Sequence, residues 1–170
     1  MNKNITKIKL TQGFTALIDK EDFQRVSQHL WQIFKSDHTN YARSTMIIYG
    51  KTRKTISLHR FILNAKKGKE INHINKNGLD NRRCNLRICT RTENCWNSHK
   101  IYSRRRNPPT SRYKGVSFDK ENNKYRVRIK LNGKNIYLGR FRNEKAAALV
   151  YNEKAIKLFG EFARLNIVKL

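Results

Sequence analysis

Residues Ile71–Ser98 read INHINKNGLDNRRCNLRICTRTENCWNS, and the fold turns on how this stretch divides. Glu70–His73 and Asn85–Cys89 are short, partly apolar runs that predict two strands. The segment between them, Ile74–Cys84, is polar, with Asn77-Gly78 as its turn signal. Thr90-x-x-Glu93 has the pattern of a capping box, so a helix is expected to start at Thr90 and to carry Asn94 in its first turns. Two strands followed by a capped helix are expected to bring Asn72 and His73 near Asn94.

The residue types in this unit have distinct chemistry. An imidazole with an ordinary pKa of about 6.5 can take a proton from water near neutral pH, which makes His73 a candidate base. Asn72 and Asn94 can offer amide oxygens to a hard ion such as Mg²⁺ or Mn²⁺, which completes its sphere with water and phosphate oxygens. Asn85 is expected to orient the site by bonding backbone across the loop, and Asp80 and Asn81 to cap that loop. His59, 14 residues before His73, is more simply read as a packing residue than as an assistant to the base. A base and oxygen ligands on a cationic surface are what hydrolysis of a phosphodiester requires.

Composition points to the same class of partner. The 170 residues suffice for one ordinary domain or two small ones, and 38% apolar residues are too many for a disordered tail. Thirty-eight Lys and Arg against 12 Asp and Glu give a formal charge of +26, for which a polyanion is the natural partner. Between Glu93 and Asp119 there is no acidic residue, while Lys100, Arg104, Arg105, Arg106, Arg112 and Lys114 fall in the gap. Double-stranded DNA is the expected partner, with no obligate protein partner and a monomer as the default. No apolar run approaches the roughly 18 residues of a membrane span, and Met1–Leu10 is too polar for a secretory signal. A cytoplasmic protein of a bacterial or phage-infected cell is expected. Cys84, Cys89 and Cys95 form no C-x-x-C pair and match no common zinc spacing, so they read as small packing residues.

Upstream, Ile5–Leu10 and Phe14–Ile18 predict two strands around Gln12-Gly13. A helix then opens near Asp19–Asp22, with Phe23, Val26 and Leu30 as its apolar face. Tyr41–Tyr49 and Thr55–Leu58 predict further strands joined at Gly50-Lys51, and Leu58–Leu63 is a short apolar stretch. Downstream, residues 100–111 (KIYSRRRNPPTS) hold both prolines of the chain and read as a basic, semi-rigid linker. Arg104, Arg105 and Arg106 are candidate phosphate contacts there.

The segment after the linker predicts three strands and a helix. Lys114–Phe118 supplies the first strand. Tyr125–Leu131 alternates, with Tyr125, Val127, Ile129 and Leu131 on one face and Arg126, Arg128 and Lys130 on the other. Asn132-Gly133 is a hairpin turn leading into Lys134–Arg140. Asn143 can cap a helix whose apolar face reads Ala146, Ala147, Val150, Tyr151, Ile156 and Phe159, with Gly160 ending it. One side of the sheet is left cationic, a shape that fits the major groove.

Two resemblances follow from these motifs. N-H-I-N, L-D-N-R-R-x-N-L-R and T-R-T-E-N, within Ile71–Asn97, resemble the His-Asn-His (HNH) endonucleases of the phage and intron homing type. The resemblance implies a ββα-metal finger, His73 as general base, Asn72 and Asn94 as ligands of one divalent ion, and Asn85 as the finger-stabilising Asn. It also implies products with 5′-phosphate and 3′-hydroxyl ends. Asn stands at position 72, where many members have Asp, and a neutral amide gives up attraction for the ion. S-R-Y-K-G-V, Y-L-G-R-F, E-K-A-A-A and R-L-N, across Ser111–Asn166, resemble the APETALA-type (ethylene-response-factor) DNA-binding domain. That resemblance makes Lys114, Arg126, Arg128, Lys130, Asn135 and Tyr137 the DNA-contacting positions. Ser117 replaces a base-reading Arg of the plant domains and Tyr137 a Trp, so base preference does not transfer.

The expected fold is therefore α+β: an N-terminal β-rich region leading into a ββα-metal finger, a linker, then a three-stranded antiparallel sheet packed on one helix. The expected domains are an HNH endonuclease domain at 1–99 with its finger at about 70–99, a linker at 100–111, and an APETALA-type domain at 112–170. The expected function is site-specific, metal-dependent cleavage of DNA. The rival is a non-catalytic, regulatory DNA-binding protein with a decayed finger. An RNA-binding protein would need stacking aromatics on a sheet, which the motifs lack.

Overall fold

A computed structural model describes residues 4–48, 50, 52–98 and 109–169. Arg104, Arg105 and Arg106, and most of the expected linker, lie outside the described residues. The fold is α+β, with small antiparallel sheets and four helices among the described residues. It divides into two compact units, the first running to Arg91 and the second beginning at Thr92.

The first unit opens with β1 (Ile5–Lys9) paired antiparallel to β2 (Thr15–Asp19). The turn between them places Gln12 and Gly13 at positive φ, and alternation along both strands sends Ile8, Ala16 and Ile18 into the core. Helix α1 (Lys20–Val26) is shorter than its apolar spacing suggests. Val26 is buried, but Phe23 is 45% exposed and Leu30, beyond the helix, 89% exposed. What α1 contributes inward besides Val26 is Asp22, whose buried carboxylate receives Arg83 through Nε at 2.9 Å and Nη2 at 2.8 Å. That pairing ties the helix to a residue 61 positions later.

Strands β3 (Gln32–Phe34), β4 (Tyr41–Ile48) and β5 (Thr52–Ser57) form a sheet in that order. The sequence reading does not contain β3. Leu58 begins not a strand's end but α2 (Leu58–Leu63), which buries Leu58 and Ile62 and stops at Asn64 in the left-handed region. β6 (Glu70–His73) and β7 (Leu86–Cys89) then pair antiparallel, with Asn72 opposite Arg87 and His73 opposite Leu86. Ile18, Val26, Leu58 and Ile62 are almost wholly buried, each worth about 1.5–3 kcal/mol over exposure, and Leu79 of the β6–β7 loop packs against the core they belong to.

That loop is anchored on β2. Leu17 N–H donates to Leu79 O and Asn81 N–H to Leu17 O, both at 2.8 Å. Gly78, read from sequence as part of a turn, is needed for room: a Cβ there would collide with Asn40 O and come within 2.6 Å of the Tyr41 ring. The close approach sets the loop against the start of β4.

In the second unit β8 (Val116–Asp119), β9 (Lys124–Leu131) and β10 (Lys134–Phe141) form an antiparallel sheet in the order β10-β9-β8. Asn132 and Gly133 both take positive φ, as a two-residue hairpin turn requires. Helix α4 (Glu144–Phe159) is capped by Asn143, whose Oδ1 accepts from Lys145 and Ala146 N–H. Its buried face is Ala147, Ala148, Tyr151, Ala155 and Phe159. Ile156 is 53% exposed and Ala146 is exposed, so the face is rotated from the one expected. Helix α3 (Arg91–Trp96) directly follows Thr90, where the capping signal predicts its start. Lys114 lies before β8, outside the sheet. Among the cysteines only Cys89 is buried; Cys84 and Cys95 are exposed, which corrects the reading of all three as packing residues.

Candidate active site and basic strand face

His73 ends β6, and the ladder to Leu86 fixes its backbone. Its ring is largely buried, and Nε2 lies 3.4 Å from Asn81 Oδ1. The orientation of the Asn81 amide follows from its other end, since Nδ2 donates to Gly78 O at 3.3 Å. The oxygen therefore faces His73, so Nε2 carries the proton and Nδ1 is left as the acceptor. Either neutral tautomer has one basic nitrogen, and here it is Nδ1. Asn81 is itself fully buried, so the pairing is held rather than sampled. Burial pushes the His73 pKa down, opposed by Asn81 and Asp80, which keeps the imidazole neutral near pH 7.

Two further rings close on His73. His59, in the first turn of α2, stands edge-on to it with centroids 5.1 Å apart, and Tyr41 lies 5.8 Å from each histidine. His59 Nδ1 is buried and has no hydrogen-bond partner. Burial first, then His73, Arg60 and Arg43, bring its pKa down to about 3. It is a neutral packing group beside His73.

Asn85 ties the loop by both ends of its amide: Oδ1 accepts from Asn75 N–H at 2.9 Å and Nδ2 donates to Asp80 O at 2.7 Å. Asp80 is committed to the same loop. Its carboxylate accepts from Arg82 Nε and Nη2 at 2.7 and 2.6 Å and from Asn75 Nδ2 at 2.7 Å, and the Arg82 contact above all holds its pKa down.

Asn72 is 4% exposed, and its Oδ1 accepts from Arg87 Nε at 3.2 Å. Its oxygen suits a hard ion in kind, while a guanidinium on that same oxygen opposes a second cation. Among the described residues no three His, Cys, Asp or Glu side chains group as metal ligands, so an ion here would depend on amide, water and phosphate oxygens. Asn94 is partly buried on α3 and belongs to the second unit.

In the second unit the strand register gathers most of the expected DNA-contacting residues. Arg128 stands opposite Tyr137, Lys130 opposite Asn135, and Arg126 opposite Arg140 and Ser117. Directly paired residues share a face, so these side chains form one polar, cationic surface. Arg140, which the sequence reading missed, donates through Nε to Asp119 at 3.0 Å and lies over the Tyr137 ring. Lys114 points its ammonium elsewhere, to Trp96 O and Ser98 O at 2.5 and 2.9 Å.

The bond of Asn81 to His73, and Arg87, also escaped the sequence reading, which expected Asn81 only to cap the loop. The available signal was register: pairing His73 with Leu86 puts Arg87 across from Asn72. Among the described residues, no helix is long and apolar enough to cross a membrane.

Comparison with known proteins gives an independent line. No family model matches the chain, and no solved structure matches it. A protein of Acanthamoeba polyphaga mimivirus, described as an uncharacterized HNH endonuclease, is 31% identical over 162 residues, covering 91% of this chain and 76% of the relative. Similarity of that extent takes in both units, and the chain belongs to the HNH endonuclease family.

Proposed function

We propose that the protein is a homing-type, site-specific DNA endonuclease in which residues at about 70–99 act as a ββα-metal finger. His73 takes a proton from the attacking water at Nδ1, and Asn81 holds the ring in that tautomer. Asn85 keeps the loop closed around it. Asn72 and Asn94 supply amide oxygens to one Mg²⁺ or Mn²⁺, which when bound would polarise the scissile phosphate. The observation that carries this reading is the Asn81-oriented, buried, neutral His73 at the end of β6.

The second unit is proposed to be an APETALA-type DNA-binding domain. Arg126, Arg128, Lys130, Asn135 and Tyr137 would reach DNA from one strand face, with Arg104, Arg105 and Arg106 adding phosphate contacts. The shared face and its positive charge support this. A half-buried, partnered Lys114 is better suited to a structural role than to the DNA contact its motif implies.

The test is nicking of supercoiled plasmid under Mg²⁺ with and without EDTA. His73→Ala is expected to slow nicking by about 10²–10⁴-fold, the ordinary contribution of a general base. Equal rates for the variant and the parent would remove the assignment. One observation favours the rival, a DNA-binding protein with a decayed finger: Arg87 on the Asn72 oxygen. In that case plasmid would be bound and left intact.

A further inference from the structure

The sheet β3-β4-β5 of the first unit has two unlike faces. Cross-strand partners share a face, and Ala42, Ser44, Met46 and Ile56 turn one of them inward: Ala42 and Ser44 are buried, and Met46 and Ile56 pack on the first core. The other face pairs Arg43 with Ser57, Thr45 with Thr55 and Ile47 with Arg53. Thr45, Ile47, Arg53 and Thr55 are exposed there, and Arg43 partly so. No acidic residue occurs in the three strands, and Asp37 is the only one between Asp22 and Glu70. Among the described residues neither Arg43 nor Arg53 has a carboxylate partner.

Arg43 is held in place without being neutralised. Its guanidinium carbon lies 3.4 Å from the centroid of the Phe34 ring, which is itself 39% exposed. Stacking occupies the flat face of a guanidinium and leaves its in-plane N–H donors for an anion. The Thr45 and Thr55 hydroxyls lie 3.3 Å apart. One proton serves the bond between them, and the other is available to donate outward. Arginine and threonine donors of this kind suit phosphate oxygens and carry no base information. A second copy of the chain, with its formal charge of +26, would be repelled from such a face, whereas a polyanion is attracted.

The face also runs up to the candidate base. Tyr41 lies on it, two residues before Arg43, and its ring stands 5.8 Å from both His59 and His73. Burial raises the Tyr41 pKa and the charge of Arg43 opposes it, so the guanidinium is near that ring. From Arg43 to Ile47, which faces Arg53, the strand advances about 13 Å, roughly four base-pair rises.

We propose that this outer sheet face is a phosphate-binding surface for duplex DNA, on which Arg43 and Arg53 each neutralise one phosphate and lead the bound backbone to His73. The inference rests on reading His73 as the place of cutting. It gives the first unit its own hold on DNA, in addition to the one proposed for the strands of the second.

The experiment compares full-length Arg43→Gln, Arg43→Lys, Arg53→Gln and Lys9→Gln with the parent, after thermal melts have shown each to be folded. Affinity for a duplex of arbitrary sequence is measured by fluorescence anisotropy in EDTA at several salt concentrations, where no cutting occurs. Arg43→Gln and Arg53→Gln are each expected to reduce the slope of log affinity against log salt by about one. Arg43→Lys keeps the charge and should keep the slope. Lys9→Gln, on β1 and outside this sheet, removes the same charge and should leave the slope unchanged. Under Mg²⁺, Arg43→Gln and Arg53→Gln should also raise the DNA concentration that half-saturates nicking.

Unchanged slopes for both glutamine variants would overturn the proposal. So would an equal fall for Lys9→Gln, which would mean that net charge alone is read, or an equal fall for Arg43→Lys, which would mean lost packing. Altered slopes with an unchanged half-saturating DNA concentration would put this face outside the productive complex and overturn the link to His73. A parent that binds duplex without nicking it sinks the nuclease reading alone, and the phosphate-binding surface is then judged on the slopes.

Discussion

If the proposed ion sits at position 72, a single amide there governs how strongly it can be held. Asn72 Oδ1 already accepts from Arg87, and an uncharged oxygen beside a guanidinium is a weak partner for a dication. A carboxylate there offers two oxygens, so Arg87 can keep one while the other faces the ion, and its charge offsets the guanidinium. Asn72→Asp is therefore expected to lower the half-saturating Mg²⁺ concentration for nicking about tenfold, since ligand charge tunes affinity; an unchanged or higher value would remove Asn72 from the ligand set. His59 supports a second residue-scale prediction. Its pKa of about 3 lies below the ordinary 6.5 of an imidazole, so between those values the unfolded chain takes up a proton that the folded chain refuses. The stability at stake is whole above pH 6.5 and falls as pH drops toward 3. His59→Phe removes this proton uptake, and its melting temperature should fall between pH 7 and pH 4.5 by on the order of 5 °C less than the parent's. Equal losses in thermal melts would show that burial of His59 carries no such linkage. These residues were unequally legible in the sequence. His73, Asn72 and Asn85 stand out because their types and spacing suggest the chemistry proposed above, whereas Asn81 and Arg87 matter through bonds that exist only once the loop and the β6–β7 register are in place.

The elements repeat that contrast. β1, β2, β9 and β10 were readable because alternation and turn residues are local signals, and Asn132-Gly133 adopts the positive φ values its type favours. β3 was not, because three residues of no marked pattern become a strand only by pairing with β4. α4 was located correctly but rotated: apolar residues at 149 and 156 remain exposed, so spacing alone could not say which stripe meets the sheet. The strand face of β9 and β10 carries its own prediction. Arg128 is exposed and unites with Tyr137, Lys130 and Asn135 through cross-strand register. If Arg128 neutralises one phosphate, Arg128→Ala should reduce the slope of log affinity against log salt by about one. Titrations of duplex DNA by fluorescence anisotropy at several salt concentrations would measure it. An unchanged slope would mean that this strand face does not meet the backbone.

At the scale of the whole molecule, a formal charge of +26 on 170 residues implies strong, salt-sensitive attraction to any duplex. That attraction brings the protein to DNA without choosing a strand or a phosphate. Choice has to come from the geometry of the site, and each chain contributes one His73, oriented by one Asn81. If His73 is the base, as proposed, one base serves one attacking water, and the two strands of a duplex run in opposite directions, so a site bound in one orientation presents one scissile phosphate to it. The expected product of a single binding event is thus a nick. With plasmid in excess over protein, open circles should accumulate first, and linear DNA should appear only as independent nicks fall opposite one another. Agarose gels over a time course separate the two forms. Linear DNA appearing together with the first open circles, at a rate rising with the square of protein concentration, would instead require two chains acting on opposite strands at once.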